Sequence, residues 1–185
     1  MTSGLVIDHG HTPVYRVVRK GWKDPLDVSY SQKAPDNRWN TPDFPTLYCC
    51  CSTKTAQAVA EDLFIGTFRV QLIDLLPSVV PNLVEIGWSG RVVDVASAEG
   101  VGGAGLDSSY PDRSTKEQTR QLATEWHSGG AQGVVCRSAS LAQKGFSDWS
   151  GSHEQWSELA IFVRNCIEPP ILVKRRPDLD WLTRS

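Results

Sequence analysis

The sequence predicts a single α+β domain of short twisted strands with flanking helices. Roughly six to eight short β-prone runs alternate with turn signals, and two segments have the apolar periodicity of a main helix. The chain has 185 residues, which suits one domain with its own core, and it contains no internal repeat or long linker. We therefore expect one domain over residues 1–185.

The amino-acid composition and net charge exclude several classes of protein. Hydrophobic residues make up 40% of the chain and charged residues 22%, with a net charge of −2. These values predict a soluble globular protein that binds neither nucleic acid nor a membrane surface. No apolar run approaches the roughly 20 residues of a membrane helix, and no signal peptide is evident. The five cysteines, three of them adjacent, suit reduced thiols in the cytoplasm, and without a CxxC pair they predict no zinc site.

The first strand is expected at Pro13–Arg19, after a lead-in over residues 1–12. Strand alternation places Val14, Arg16 and Val18 on one face. An arginine among valines needs an anion or hydrogen-bond acceptors if that face is buried. An internal carboxylate and a bound phosphate are the two alternatives for Arg16.

The next segment contains the most distinctive cluster of polar and aromatic residues. Residues 20–45 are loop-rich and carry Arg38-Trp39-Asn40 between two groups of Pro, Asn and Asp, which mark turns. The β-prone run Thr46–Cys51 follows and contains Tyr48.

A helix capped by Ser52 or Thr53 is expected after this strand. Its apolar stripe is formed by Ala56, Val59, Ala60, Leu63 and Phe64. Glu61 lies beside the stripe. A carboxylate at the edge of a buried face forms either a boundary salt bridge or part of a site.

The middle of the chain is predicted to hold three strands and a long loop. The strands are Thr67–Leu76, Leu83–Trp88 and Arg91–Ala96, and Ser89-Gly90 gives a tight-turn signal between the last two. Residues 98–113 read as loop. Within them, residues 100–105 match GxGxxG letter for letter, but neither a helix nor a suitably placed acid follows, so we expect a flexible loop of unassigned role.

The last third completes the α+β pattern. Ser114 and Glu117 form a capping box for a helix that ends near His127. The strand Gly133–Ala139 follows, and Ser138 ends its buried row. Residues 141–157 read as a polar loop. Two further strands are expected, Glu158–Val163 and Ile171–Val173.

Five motifs, taken in order over about residues 13–163, resemble the RES domain: Val14-Tyr15-Arg16, Arg38-Trp39-Asn40, Leu47-Tyr48, Ala58-Val59-Ala60-Glu61 and Gly133–Ala139. The resemblance implies an ADP-ribosyltransferase-like fold and the NAD-degrading toxin of a bacterial toxin–antitoxin pair. Such a toxin cleaves the nicotinamide–ribose bond by hydrolysis or phosphorolysis. It uses NAD as substrate, with inorganic phosphate as an optional co-substrate, and needs no cofactor or metal. The implied partner is an antitoxin with a helix-turn-helix domain.

The resemblance also implies roles for individual residues. Arg16 and Arg38 would be cationic ligands of NAD, Tyr48 would lie beside the nicotinamide ribose, and Glu61 would be the catalytic carboxylate. Ser138 falls on the family serine, would hydrogen-bond NAD or fix Glu61, and completes the catalytic set with Glu61 and Arg38.

Two alternatives to NAD degradation stay open: ADP-ribosyl transfer to a protein, and a non-enzymatic interaction domain of the same fold. The chain departs from the family pattern at Asp36-Asn37, Asp43 and Ser140. These departures leave open whether the acceptor is water, phosphate or protein.

Overall fold

The computed structural model describes residues 4–10, 12–33, 37–66, 72, 75–76, 78–176 and 180–183. Its strands are β1 (Val6–His9), β2 (Val14–Val18), β3 (Thr46–Cys50), β4 (Asn82–Gly87), β5 (Gly90–Val95), β6 (Gly133–Arg137), β7 (Ser157–Phe162) and β8 (Ile171–Arg176). Its helices are α1 (Ser29–Lys33), α2 (Thr53–Phe64), α3 (Ala98–Gly103), α4 (Lys116–Ser128), α5 (Ala139–Gln143) and α6 (Asp180–Thr183), with a short 3-10 helix at His153–Gln155. This is the predicted α+β fold.

The strands form one sheet in the order β1-β5-β6-β7-β3-β2-β4-β8. All neighbouring pairs are antiparallel except β5 and β6. The parallel pair requires a crossover connection, which α3 and α4 supply. β2 and β3 are joined through a single residue pair, Tyr15 with Cys50, so the sheet has two well-paired arms with a weak junction between them.

Apolar residues cover both faces of the sheet. One cluster combines residues of both arms, among them Val14, Leu47 and Leu159. On the opposite face, a second cluster packs α3 and α4 against β5, β6 and β7, and a third packs α2 and α6 against β2 and β4. The alternation predicted for β2 is present, since Val14 and Val18 belong to the first cluster and Tyr15 and Val17 border the third.

The helix α2 begins at the predicted cap and buries most of the predicted stripe, since Ala56 and Ala60 are fully buried and Val59 and Phe64 pack against the same cluster. The hydroxyl of Ser52 accepts a hydrogen bond from Thr55 N at 3.1 Å. The buried residues of α2 are Thr55, Ala56, Ala58 and Ala60. Leu63, which the pattern placed inward, is 67% exposed. The small buried side chains let the helix lie close to the sheet, and Leu63 falls outside that contact.

Several boundaries differ from the sequence predictions. The lead-in contains β1, which pairs with β5 and so gains order through a distant partner. The glycine-rich segment is not a loop, because Ser97 caps α3 through Gly100 N at 2.9 Å. The polar stretch after β6 contains α5, capped by Ser138, and the 3-10 helix.

Three further predictions need comment. The cap of α4 is Thr115, not Ser114, and it accepts from Gln118 N at 3.1 Å. The strands β4 and β5 follow one another in sequence but lie in different arms, so residues 89–90 do not close a hairpin. The predicted strand at 67–76 lies largely outside the described residues, and Leu72 and Leu75 within it form a turn, with N of Leu75 donating to O of Leu72 at 3.2 Å.

Candidate active site

Three neighbouring strands, β3, β7 and β6, present the polar residues of the candidate site on one sheet face. Glu158 of β7 lies directly between Cys50 of β3 and Cys136 of β6. Tyr48 is opposite Ala160, two residues further along β7, and therefore on the same face. The face thus places a carboxylate and a phenol ring on adjacent strands.

Ser138 follows β6 and links it to Glu158. Its hydroxyl donates to Oε1 of Glu158 at 2.6 Å and accepts from Leu141 N at 3.3 Å, which caps α5. Ser138 is fully buried. The hydroxyl therefore uses both its donor and an acceptor position within the protein and fixes the direction of the Glu158 carboxylate.

Glu158 is the one charged residue in the run Ser157–Phe162, and the sequence analysis did not single it out. Burial raises the pKa of Glu158, and the nearby Asp62 adds to this effect. The Ser138 hydrogen bond, the charge of Arg38 and the Ala139 backbone N–H act in the opposite direction. A lone carboxylate in an apolar strand, on the face shared by Ala160, was the signal that could have identified it.

Tyr48 supports the turn that carries Arg38. Its hydroxyl accepts from Trp39 N at 3.0 Å and donates to Oδ1 of Asn40 at 2.8 Å. Asn40 in turn donates to the backbone oxygen of Ser31 at 2.7 Å. Burial raises the pKa of Tyr48, so the phenol stays protonated. Its hydroxyl proton is engaged within the protein, which leaves the ring as the group available for a ligand.

Trp39 connects the same turn to β6. Its ring is 2% exposed and donates from Nε1 to Sγ of Cys136 at 3.2 Å. It stacks on Trp126 of α4 with ring centroids 5.8 Å apart. Because Cys136 is two residues before Ser138, Trp39 fixes the turn to the strand that carries the predicted serine.

Arg38 projects from this turn and is partly buried. Its Nη1 donates to O of Pro111 at 3.3 Å and to Oγ of Ser114 at 3.4 Å, both long contacts with uncharged acceptors. Its positive charge also lowers the pKa of Glu158. Among the residues that the structure describes, Arg38 forms no ion pair, so its charge is not neutralised by a carboxylate in contact.

The loop that receives Arg38 is held by a second arginine, Arg137. This buried side chain donates to the backbone oxygens of Ala96 at 3.0 Å, Ser108 at 2.9 Å and Tyr110 at 3.0 Å. It thereby ties the segment before Pro111 to β6. Arg137 has a structural role that the sequence analysis did not anticipate, since its acceptors are 27 to 41 residues away.

Arg16 lies on the other face of the sheet. Tyr15 pairs with Cys50, so Tyr15 shares the Glu158 face and Arg16 does not. The guanidinium of Arg16 donates from Nη1 to O of Pro25 at 2.7 Å and O of Asp27 at 3.2 Å. It also lies over the Trp22 ring, 5.2 Å from the centroid. Backbone carbonyls, and no carboxylate among the described residues, accept hydrogen bonds from this guanidinium.

Glu61 makes its described contacts with residues outside the cluster. Its Oε2 forms an ion pair with Nζ of Lys144, and its Oε1 accepts from Nε2 of Gln57 at 3.4 Å. The side chains of the pair are 30% and 42% exposed for Glu61 and Lys144. In the described part of the chain no hydrogen bond or ion pair joins Glu61 to Arg38, Tyr48 or Ser138. The structure thus connects Tyr48 to the turn that carries Arg38 and Ser138 to Glu158, whose pKa Arg38 lowers, whereas the described contacts of Arg16 and Glu61 are made with other residues.

Burial disfavours the thiolate form of the cysteines in β3, just after β3 and in β6, on both faces of the sheet. Burial raises the pKa of Cys49 and Cys51 to about 12 and also raises the pKa of Cys50 and Cys136.

Within the described residues, no group of three or more His, Cys, Asp or Glu side chains could hold a metal ion. In that same part of the chain, no helix is both long and apolar enough to cross a membrane.

Comparison with known proteins adds two findings. A family model described as the RES domain matches residues 13–162. The fold is similar to a chain in a solved structure from M. tuberculosis, with a TM-score of 0.66 and 16% sequence identity over 89% of this chain and 84% of that chain. That structure is titled the crystal structure of the MbcT-MbcA toxin-antitoxin complex. No curated protein matches the sequence.

Proposed function

Because this chain belongs to the RES domain family, we propose that it degrades NAD by cleaving the bond between nicotinamide and ribose. The observation that carries the proposal is the grouping of Arg38, Tyr48 and Ser138 at one sheet face of a chain that matches the family over residues 13–162. Water or inorganic phosphate would accept the ribosyl group.

The contacts of Arg38 suit a ligand with phosphate groups. Guanidinium groups bind phosphate oxygens in a bidentate manner, and such charged hydrogen bonds are stronger than neutral ones. Arg38 makes two long contacts to uncharged oxygens, through the same Nη1 atom. A pyrophosphate would give this side chain shorter, charged partners.

Tyr48 and Ser138 suit the other end of the substrate. The Tyr48 ring offers a flat surface for stacking on the nicotinamide or its ribose, while its hydroxyl stays engaged with Trp39 and Asn40. Ser138 directs a carboxylate towards the same face. Cleavage of the nicotinamide–ribose bond develops positive charge on the ribose, as in glycoside hydrolysis, so a negative charge close by lowers the barrier.

We further propose that the protein is the toxin of a toxin–antitoxin pair. The similar solved structure is a complex of this kind, and its shared fold supports the idea. The antitoxin would carry a helix-turn-helix domain and cover the NAD site. The five thiols that the structure leaves unpaired suit the reducing cytoplasm, where NAD is also present.

The test is product analysis with purified protein freed of any bound partner. Incubation with NAD should release nicotinamide with ADP-ribose, and added phosphate should divert the ADP-ribose to its phosphate ester if phosphate is the acceptor. A third arm with labelled NAD and cell lysate detects transfer to protein. The Lys144→Met protein, changed at a surface ion pair, is the control that should behave as wild type. Background nicotinamide release in all three arms would reject the proposed activity.

A further inference from the structure

The strand β8 forms one end of the sheet and is exposed along almost its whole length. One edge of β8 pairs with β4, and among the residues that the structure describes no strand pairs with its other edge. The backbone N–H and C=O groups of a free strand edge are able to pair with a strand of another chain. β8 therefore offers an interaction surface, and it lies outside residues 13–162, which match the family model.

The sequence of β8 has two halves of different character. The first half is apolar, and the exposed fractions are 60% for Ile171, 38% for Leu172 and 55% for Val173. The second half is basic, with a lysine and two arginines at 174–176, and the strand contains no acidic residue. Such an edge is complementary to an extended segment that is itself half apolar and half acidic.

The positive charges of the second half are not neutralised by carboxylates in contact. Lys174 lies opposite Glu85 of β4, but no ion pair joins the two in the described part of the chain. Arg175 donates to the backbone oxygens of Trp22 at 3.1 Å and Lys23 at 2.6 Å. These bonds use donors of the guanidinium but leave its charge in place. The basic half therefore attracts an acidic segment.

We propose that β8 binds an extended segment of a partner protein, which adds a strand to the sheet and carries acidic residues first and apolar residues after them. Such a segment runs antiparallel to β8, so its acidic half lies opposite 174–176 and its apolar half opposite 171–173. The neighbouring pairs β2–β3, β2–β4 and β4–β8 are also antiparallel. Because β2 and β4 separate β8 from β3, the segment would bind away from Tyr48. The inference does not depend on the proposed NAD cleavage.

The competing explanation is that β8 is only protected against self-association. Basic residues and β-bulges prevent edge strands from pairing with copies of themselves. β8 has both features, since its register against β4 shifts between Glu85 and Ile86. A second copy of β8 would add further basic residues and no acidic partner, so these charges oppose it. An acidic segment gains from the same charges, which therefore exclude one partner and select another. The residues 174–176 keep a regular register on one side of the bulge.

The test uses the wild-type protein and the peptide Glu-Glu-Glu-Val-Val-Ile, blocked at both ends and labelled for fluorescence anisotropy. We expect saturable binding that weakens as salt is added, because salt screens exposed charges. Amide hydrogen exchange should slow in residues 171–176. It should stay unchanged in β1, the strand at the other end of the sheet, which contains Asp8 and neither lysine nor arginine.

Two control peptides separate charge from strand pairing. The peptide Lys-Lys-Lys-Val-Val-Ile keeps the apolar half and reverses the charge. An N-methylated form of the acidic peptide keeps the charge and lacks the N–H groups that pair with a strand. Each should bind wild type about tenfold or more weakly than the acidic peptide, since each loses one of the two kinds of interaction.

A double variant tests the residues of β8 themselves. Lys174→Gln combined with Arg176→Gln should weaken binding of the acidic peptide about fivefold and reduce its salt dependence, because exposed charge pairs contribute modestly. Arg175 stays unchanged because it also holds the loop that contains Trp22. The control is Lys144→Met, which removes a surface lysine outside β8 and should bind as wild type.

Several results would overturn the proposal. They are no binding by wild type up to about 1 mM acidic peptide, slowed exchange in a region other than β8, and equal binding of either control peptide. Unchanged affinity in the folded double variant would reject the role of the basic half. A wild-type dimer in sedimentation that Ile171→Lys dissociates would assign the edge to a second copy. The peptide comparisons use wild type, so they decide the question even where a variant does not fold. Nicotinamide release tests the proposed activity separately.

Discussion

The two faces of the sheet hold their charged residues in different ways. On one face, Arg16 donates to two backbone oxygens of its own chain and stacks over Trp22. On the other, Glu158 accepts from the Ser138 hydroxyl and the Ala139 backbone N–H, and Arg38 makes only long contacts with uncharged oxygens. Hydrogen bonds within the fold satisfy the charge of Arg16. On the second face, the opposite charges of Glu158 and Arg38 remain able to act on a ligand. The contacts therefore distinguish Arg16, whose donors are used within the fold, from Arg38 in the candidate site.

The largest expected effect on stability follows from removing Arg16. The change Arg16→Ala leaves the carbonyls of Pro25 and Asp27 without their donor and removes the stacking on Trp22. We expect a loss of about 2–3 kcal/mol in the free energy of unfolding, measured by denaturant titration, because hydrogen bonds of charged groups contribute about this much. The matched change Arg38→Ala should cost less than about 1 kcal/mol, since its contacts are long.

The same two variants distinguish binding from folding. In calorimetry with a non-cleavable NAD analogue, Arg38→Ala should weaken binding about tenfold or more, because it removes a charged hydrogen bond to phosphate. Arg16→Ala should change the affinity little once the protein is folded. Unchanged stability with lost affinity in Arg16→Ala would instead make Arg16 an NAD ligand, as the family resemblance implies.

An effect of intermediate size is expected in the pH dependence of folding stability, through the Glu158 carboxyl group. The pKa of Glu158 in the fold is raised above its ordinary value of 4.5, so the folded state binds this proton more tightly than the unfolded state. The resulting stability is fully present below the unfolded pKa and is lost as pH rises through the folded pKa. Glu158→Gln should therefore melt above wild type near pH 8, and the difference should shrink towards pH 4. A Glu158→Gln protein that melts below wild type at every pH would show that the carboxylate stabilises the fold.

The smallest effect is expected at the pair of Glu61 and Lys144. Because both side chains are partly exposed, Glu61→Gln and Lys144→Met should each change the unfolding free energy by about 0–1 kcal/mol, and less at high salt. Denaturant titration at low and high salt measures this. A loss of several kcal/mol in unfolding free energy that does not depend on salt would show that Glu61 belongs to a buried network of interactions.

The sequence was sufficient for those features that depend on neighbours along the chain. Alternation predicted β2, and the cap at Ser52 predicted the start of α2. The strand β1 was missed because its order comes from pairing with β5, more than 80 residues later. The capping role of Ser138 likewise depends on the chain turning into α5, which a polar sequence did not reveal.

In the candidate site, too, the sequence predicted features that depend on nearby residues and missed those that depend on distant partners. Arg38, Tyr48 and Ser138 were found from motifs, and the structure groups them through Trp39, Cys136 and Glu158. Helix periodicity placed Glu61 beside the apolar stripe and the family resemblance implied its role, but neither indicates its distant partner, Lys144. Glu158 lay in an apolar run, and only the strand register places it beside Cys50 and Cys136.

The most direct test of the account is a crystal structure of the protein with a non-cleavable NAD analogue bound. We predict that the analogue lies with its nicotinamide or ribose against Tyr48, within reach of Ser138, and with its pyrophosphate on Arg38. An analogue bound on the Arg16 face, away from these three residues, would contradict the assignment of the site to the β3, β7 and β6 face.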